Sequence, residues 1–165
     1  MSLHADLLRQ AEHLARLEPR RPRQASLRRA VSTAYYALFH LLVKEATSTL
    51  VAVPSLRGRF GRAFDHQDMK KASQAFGRPQ ANQLDTLTGN LPVPVQVQRV
   101  ALTFVELQEA RHEADYNTAR TFTRLEVTNL VARVAQAFQS WQAIHTDPVA
   151  RMYLASMLLG KKWTR

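Results

Sequence analysis

Cysteine is absent from the 165 residues, which excludes disulfides and thiolate-held zinc and fits a reducing, cytoplasmic setting. Glycine is scarce at 5 residues and proline contributes 7, so the composition is neither fibrous nor low-complexity. Bilayer-length apolar runs are missing too. The longest, AYYALFHLLV at 34–43, is about half of the roughly 20 residues a span requires, and His40 interrupts it. The opening MSLHADLLRQAEHLARL has no basic segment followed by an apolar one, so no signal peptide and no membrane partner are expected. Gly-rich phosphate loops, nucleophile elbows and dinucleotide fingerprints do not occur. The histidines at 4, 13, 40, 66, 112 and 145 contain no i, i+4 pair, and Asp65, His66 and Asp68 make only a weak carboxylate–imidazole cluster. Neither a metal nor a cofactor is expected.

What is present in excess is positive charge. Twenty-three Lys and Arg against 13 Asp and Glu give +10, with Arg outnumbering Lys 18 to 5. Such a field favours acidic partners, of which nucleic acid is the commonest. Aromatic residues are not interleaved with the basic ones, so no base-stacking strip is visible. The length suits a single domain over 1–165, large enough to bury one core.

Apolar residues recur at helical spacing throughout, and no strand pattern stands out. Leu3, Leu7, Ala11 and Leu14 predict a helix over 2–17, ended by EPRRPRQ. A second helix is predicted from Gln24 to Leu50, and its nearly all-apolar middle marks it as the central one. VAVPSLRGRFGR at 51–62 reads as a loop. HQDMKKASQAF at 66–76 reads as a short helix capped by Asp65 and stopped by Gly77 and Pro79. Residues 78–92 are polar and irregular. A helix then starts near Pro94 and is broken by NTARTF. TRLE at 123–126 matches a capping box before a helix with Val127, Leu130, Val131, Val134, Phe138 and Trp141 inward. Asp147 and Pro148 open a last helix, expected to end at Gly160 with Lys161 and Lys162. The expectation is an all-α, antiparallel four-helix bundle with one or two additional short helices.

The helix from Pro94 carries Val97, Val100, Phe104 and Leu107 on one face, and Arg111 and Asp115 continue that stripe. A guanidinium leaving water requires a partner, and Asp115 at i+4 supplies one. Two readings stay open. The pair either pins the helix end to its neighbours or lines a polar pocket fit for a phosphate or a ribose hydroxyl. His66 offers a second imidazole if its segment packs near Arg111; otherwise it is a capping or solvated residue. His40 reads as a core histidine bonded to a carbonyl, and Tyr35 and Tyr36 mainly as packing, with one hydroxyl able to line the groove.

RRAVSTAYYALFHLLV in the second helix, RAFDHQDMKKASQAF after it and ARHEADYN at the end of a later one resemble the HEPN superfamily (higher eukaryotes and prokaryotes nucleotide-binding), over roughly residues 24–140. The resemblance is to the branch ending in Arg-x-x-x-Asp-Tyr. It implies a helical bundle that often forms homodimers. It also implies RNA or nucleotide binding, often as a metal-independent ribonuclease in toxin–antitoxin or defence systems, or as partner of a small nucleotidyltransferase. Arg111 and His112 match the start of the family's motif. Tyr116 stands where the terminal His belongs, and a phenol of pKa near 10 is a poor base at neutral pH. The resemblance therefore implies a degenerate ribonuclease motif. Arg111, His112, Tyr116 and His66 are the catalytic candidates; Arg111, Asp115, Tyr116, Arg59, Arg62, His66, Lys70 and Tyr36 are the nucleotide- or RNA-binding ones.

Overall fold

The computed structural model describes residues 2–80 and 88–163, with side chains through residue 159. The described residues are all-α: α1 (Leu3–Arg16), α2 (Gln24–Leu50), a 3-10 turn (Pro54–Leu56), α3 (Arg57–Gly61), α4 (His66–Gly77), α5 (Val95–Tyr116), α6 (Arg124–Ile144) and α7 (Pro148–Trp163). Five helices run 14 residues or longer, one more than the four principal helices expected. No described helix is long and apolar enough to cross a membrane.

The central position of α2 follows from its side chains. Ala30, Val31, Ser32, Thr33, Ala34 and Tyr35 are buried in unbroken succession, and the small ones let neighbours approach from several sides. α2 packs against α1, α5, α6 and α7, and α1 lies against both α2 and α6. α4 spans α5 and α7. The shared core includes Leu27, Leu38 and Leu42 of α2, Phe104 and Leu107 of α5, Trp141 of α6 and Tyr153 of α7.

Local signals explain most of the helix ends. Asp65 accepts hydrogen bonds from the backbone N–H groups of Gln67 and Asp68, and Asp147 from those of Val149 and Ala150. Thr123 caps α6 by accepting from the Glu126 N–H, but Glu126 turns away to pair with Arg120, so only half of the expected capping box forms. The 51–62 stretch is not a plain loop. Pro54 opens the 3-10 turn, α3 follows, and the Arg57 Nε–H bonds the Val51 carbonyl at 3.1 Å. α7 continues through Gly160 to Trp163; one glycine in a last turn costs only about 1 kcal/mol against alanine and is a weak stop. Gly77 is helical and does not adopt a left-handed cap. A Cβ there would come within 3.0 Å of the Leu102 side chain, so glycine serves the close approach of α4 to α5. The 78–92 prediction falls partly outside the described residues; within them, Gly89 and Asn90 have φ of 60° and 63°, a left-handed turn ahead of α5.

One polar pair sits inside the core. Ser73 Oγ and Tyr153 Oη lie 2.8 Å apart, both residues fully buried. Removing either partner strands a buried hydroxyl, which costs about 1–3 kcal/mol. Urea denaturation of Ser73→Ala, Tyr153→Phe and the double variant is expected to show the double costing less than the sum of the singles. Additive losses would show that the two hydroxyls are not coupled.

Candidate functional site

The site forms where the C-terminal turns of α5 cross α2 and the start of α4. The apolar stripe of α5 holds: Val97, Val100, Phe104 and Leu107 are fully buried. Arg111 follows with its side chain 20% exposed, and Asp115, whose side chain is 30% exposed, sits at the rim. Arg111 Nε lies 2.7 Å from Asp115 Oδ2. The contact is an ion pair without hydrogen-bond alignment, so this buried N–H has no acceptor among the described residues. Nη2 donates to Tyr36 Oη at 3.2 Å. The guanidinium carbon stands 5.8, 5.6 and 5.9 Å from the ring centres of Tyr35, Tyr36 and Tyr116, within cation–π range. Burial opposes the charge, but Tyr36 and Asp115 outweigh it and hold the Arg111 pKa above its ordinary value. Asp115 is fixed from its other side by Ser32 Oγ, which donates to Oδ1 at 2.6 Å.

His66 arrives from the first position of α4. Its ring packs on Phe39 at 4.7 Å between centres, with Tyr35 and Tyr36 beyond. Gln108 Nε2 of α5 donates to its backbone carbonyl at 2.9 Å. The Tyr35 hydroxyl meets Nδ1. Burial pushes the Tyr35 phenol well above its ordinary pKa, Arg111 offsetting this only in part. The phenol therefore stays protonated, and the hydrogen bond runs in either direction according to the His66 tautomer. Arg111 and His66 thus share the Tyr35–Tyr36 pair.

Burial first, then the Arg111 charge, hold the His66 imidazole below its ordinary 6.5; burial does the same to His4 and His40. The unfolded chain thus takes up these protons at higher pH than the folded one. Their stability contribution is complete above pH 6.5 and declines as pH falls below it. The urea midpoint is expected to drop between pH 6.5 and 5, less steeply in His66→Gln. A wild-type midpoint level over that range would contradict the assignment.

Two grooves flank the end of α5. One, of about 520 Å³ between α4 and α5, includes Lys70, Lys71, Arg111 and His112 in its lining. The other, of about 460 Å³ between α2 and α5, includes Arg29, Ser32, Asp115 and Tyr116. Lys70 is paired with Glu109 at 3.0 Å. Tyr116 is 66% exposed, and its ring lies 5.1 Å from that of His112, so an aromatic pair does stand among the basic groups, contrary to expectation.

Of the predicted site residues, the structure brings together Arg111, Asp115, Tyr36, His66, His112, Tyr116 and Lys70. Arg59 and Arg62 belong to α3 and its cap; both are exposed and take no part in the contacts of Arg111. The neighbouring Gly61 faces Val43 and Thr47, two to three turns along α2 from Tyr36. His40 is half-buried and packs on Tyr36 and Phe39, and no hydrogen bond to a carbonyl forms among the described residues. Side chains at 36 and 40 both reach the surface of the bundle, so this face of α2 is not core, while Ala37 and Leu38 between them are fully buried.

Sequence reasoning missed Arg28 and Ser32. Arg28 Nη1 donates to the Ala114 carbonyl at 2.8 Å, and Nη2 to those of Asn117 at 3.0 Å, Thr118 at 3.4 Å and Arg120. The guanidinium thereby closes the C-terminal end of α5, where unsatisfied carbonyls and the helix dipole favour a cation. The signal was legible: Gln24, Arg28, Ser32, Tyr36 and His40 recur every four residues along α2, a polar ridge of the kind that packs into a neighbour's groove.

Fold and site together define an all-α protein with an arginine–carboxylate pair set in aromatic rings at a helix end. No family model, no curated protein and no solved structure matches the chain. No group of three or more His, Cys, Asp or Glu placed to hold a metal ion occurs among the described residues.

Proposed function

We propose that the protein is a HEPN-type module that binds RNA or nucleotide phosphate at Arg111, in a toxin–antitoxin or defence setting. The observation that carries this reading is the guanidinium itself. It is held in place by Asp115, Tyr36 and three rings, yet its side chain keeps 20% of its surface exposed and still lines a groove. The chain's net charge of +10 supports a polyanionic partner. Binding to single-stranded RNA is expected to weaken steeply between 50 and 200 mM salt, because neutralised phosphates release counterions. Affinity independent of salt, or none at low salt, refutes the reading.

A second reading, a metal-independent endoribonuclease, draws on the meeting of Arg111 and His66 at Tyr35 and Tyr36. It is the weaker one chemically. Nδ1 of His66 is engaged by the Tyr35 hydroxyl, so only one ring nitrogen remains for proton transfer. Cleavage of RNA in EDTA by wild type, lost in both Arg111→Ala and His66→Ala, would establish it.

A further inference from the structure

The two grooves lie on either side of the end of α5, one lined by Arg111, His112 and Glu113 and the other by Ala114, Asp115 and Tyr116. His112 lines the α4/α5 groove and Tyr116 lines the α2/α5 groove, one helical turn apart. Their rings are in contact, so an exposed aromatic pair bridges the divide. Each groove also contains an exposed cation, Lys71 on one side and Arg29 on the other. Neither makes a hydrogen bond or ion pair among the described residues, unlike Lys70, which Glu109 neutralises. An unpaired cation on each side of an aromatic step matches a strand whose phosphates flank a splayed base. Single-strand recognition combines these same two elements, a basic track and a ring on which a base stacks.

We infer that the ligand is a single strand of RNA that crosses the end of α5, with a base on the His112–Tyr116 pair and phosphates directed to Lys71 in one groove and Arg29 in the other. This rests on the reading of Arg111 as a phosphate-binding residue and adds to it a minimum ligand length. A mononucleotide reaches Arg111 and at most one groove. A strand of several nucleotides reaches both, and a duplex keeps its bases stacked away from the rings.

The test uses the full chain at low salt with three probes: uridine 5′-monophosphate, a single-stranded uridine octanucleotide and an RNA duplex of eight base pairs. The octanucleotide is expected to bind at least tenfold more tightly than either other probe. Arg29→Glu and Lys71→Glu should each weaken octanucleotide binding several-fold. Each should also reduce the slope of log affinity against log salt by at least about 0.7, the single-strand value per neutralised phosphate, with little change for the monophosphate. Tyr116→Ser should cost about tenfold on the octanucleotide and less on the monophosphate, which loses only the Tyr116 ring beside Arg111. Arg151→Glu, on an exposed residue of α7 beyond the other end of α6, controls for the general loss of positive charge. All four residues are exposed, and a thermal melt of each variant confirms folding. Equal affinity for monophosphate and octanucleotide overturns the inference, as does octanucleotide binding that ignores Arg29 and Lys71 while still requiring Arg111. If no probe binds, or if Arg111→Ala binds like wild type, the underlying reading of Arg111 fails as well.

Discussion

Arg111→Ala is expected to lower RNA affinity about 10- to 100-fold at 50 mM salt, the equivalent of one charged hydrogen-bonding group worth about 1.5–3 kcal/mol. Arg111→Lys should recover only part of this. An ammonium restores the charge but lacks the planar fork that addresses Asp115 through Nε and Tyr36 through Nη2. The informative companion is Asp115→Asn. The amide keeps an oxygen for Ser32 and removes the negative charge beside Arg111. A phosphate then meets an uncompensated guanidinium, so affinity should rise several-fold while stability falls. If the pair is structural only, Asp115→Asn loses stability with no gain in affinity, and Arg111→Ala leaves binding unchanged. Filter-binding titrations and urea melts on the same preparations separate the two outcomes.

Arg28→Ala should be the most destabilising of the polar substitutions near the site, by roughly 2–3 kcal/mol, or about 4–12 °C in melting temperature for a chain of this size. Four backbone carbonyls from residues 114 to 120 converge on this side chain. Truncation leaves them to water or to nothing. Partial exposure of Arg28 tempers the loss, since water can reach part of the gap. Arg28→Lys should recover less than half, because one ammonium has three donors and cannot span carbonyls spread over seven residues. RNA affinity should fall as well, since the turn bearing Asp115 and Tyr116 is no longer held. A melting temperature within 2 °C of wild type in Arg28→Ala would show that the carbonyls find other donors.

How far the sequence disclosed this arrangement depends on the kind of signal. Asp115, expected on the same inward face as Arg111, is exposed, and Ala114 is the residue buried there. Helical phase did identify Arg111 as the half-buried continuation of the stripe, because phase is a local property of α5. Asp65 and Asp147 were legible as caps for the same reason. The 3-10 turn and α3 were not, since Gly58, Gly61 and Pro54 read as breakers by type, whereas Pro54 sits at a first-turn position where it is tolerated. Gly77 was legible as the end of α4, but its close contact with Leu102 of α5 was not, because that contact is tertiary. Arg28 is one of eighteen arginines in the sequence. Only its four-residue spacing to Ser32 and Tyr36 set it apart, and that pattern carries meaning once the facing helix is known. The nearness of His66 to Arg111 is also tertiary, fixed by Phe39 and Gln108.

Distance along the chain separates the parts of this site. The Arg111–Asp115 pair spans a single turn and can form in an isolated helix, but its other holders are remote in sequence: Tyr36 by 75 residues, Ser32 by 83 and Gln24, whose amide clasps the Phe122 backbone in both directions, by 98. Closing loops of that length is entropically costly and slow. A peptide of residues 104–122 would carry the motif without the pocket. During synthesis the Gln24 clasp cannot close until Phe122 has left the ribosome, so a nascent chain carries most of its positive charge well before the grooves beside the end of α5 are held in place.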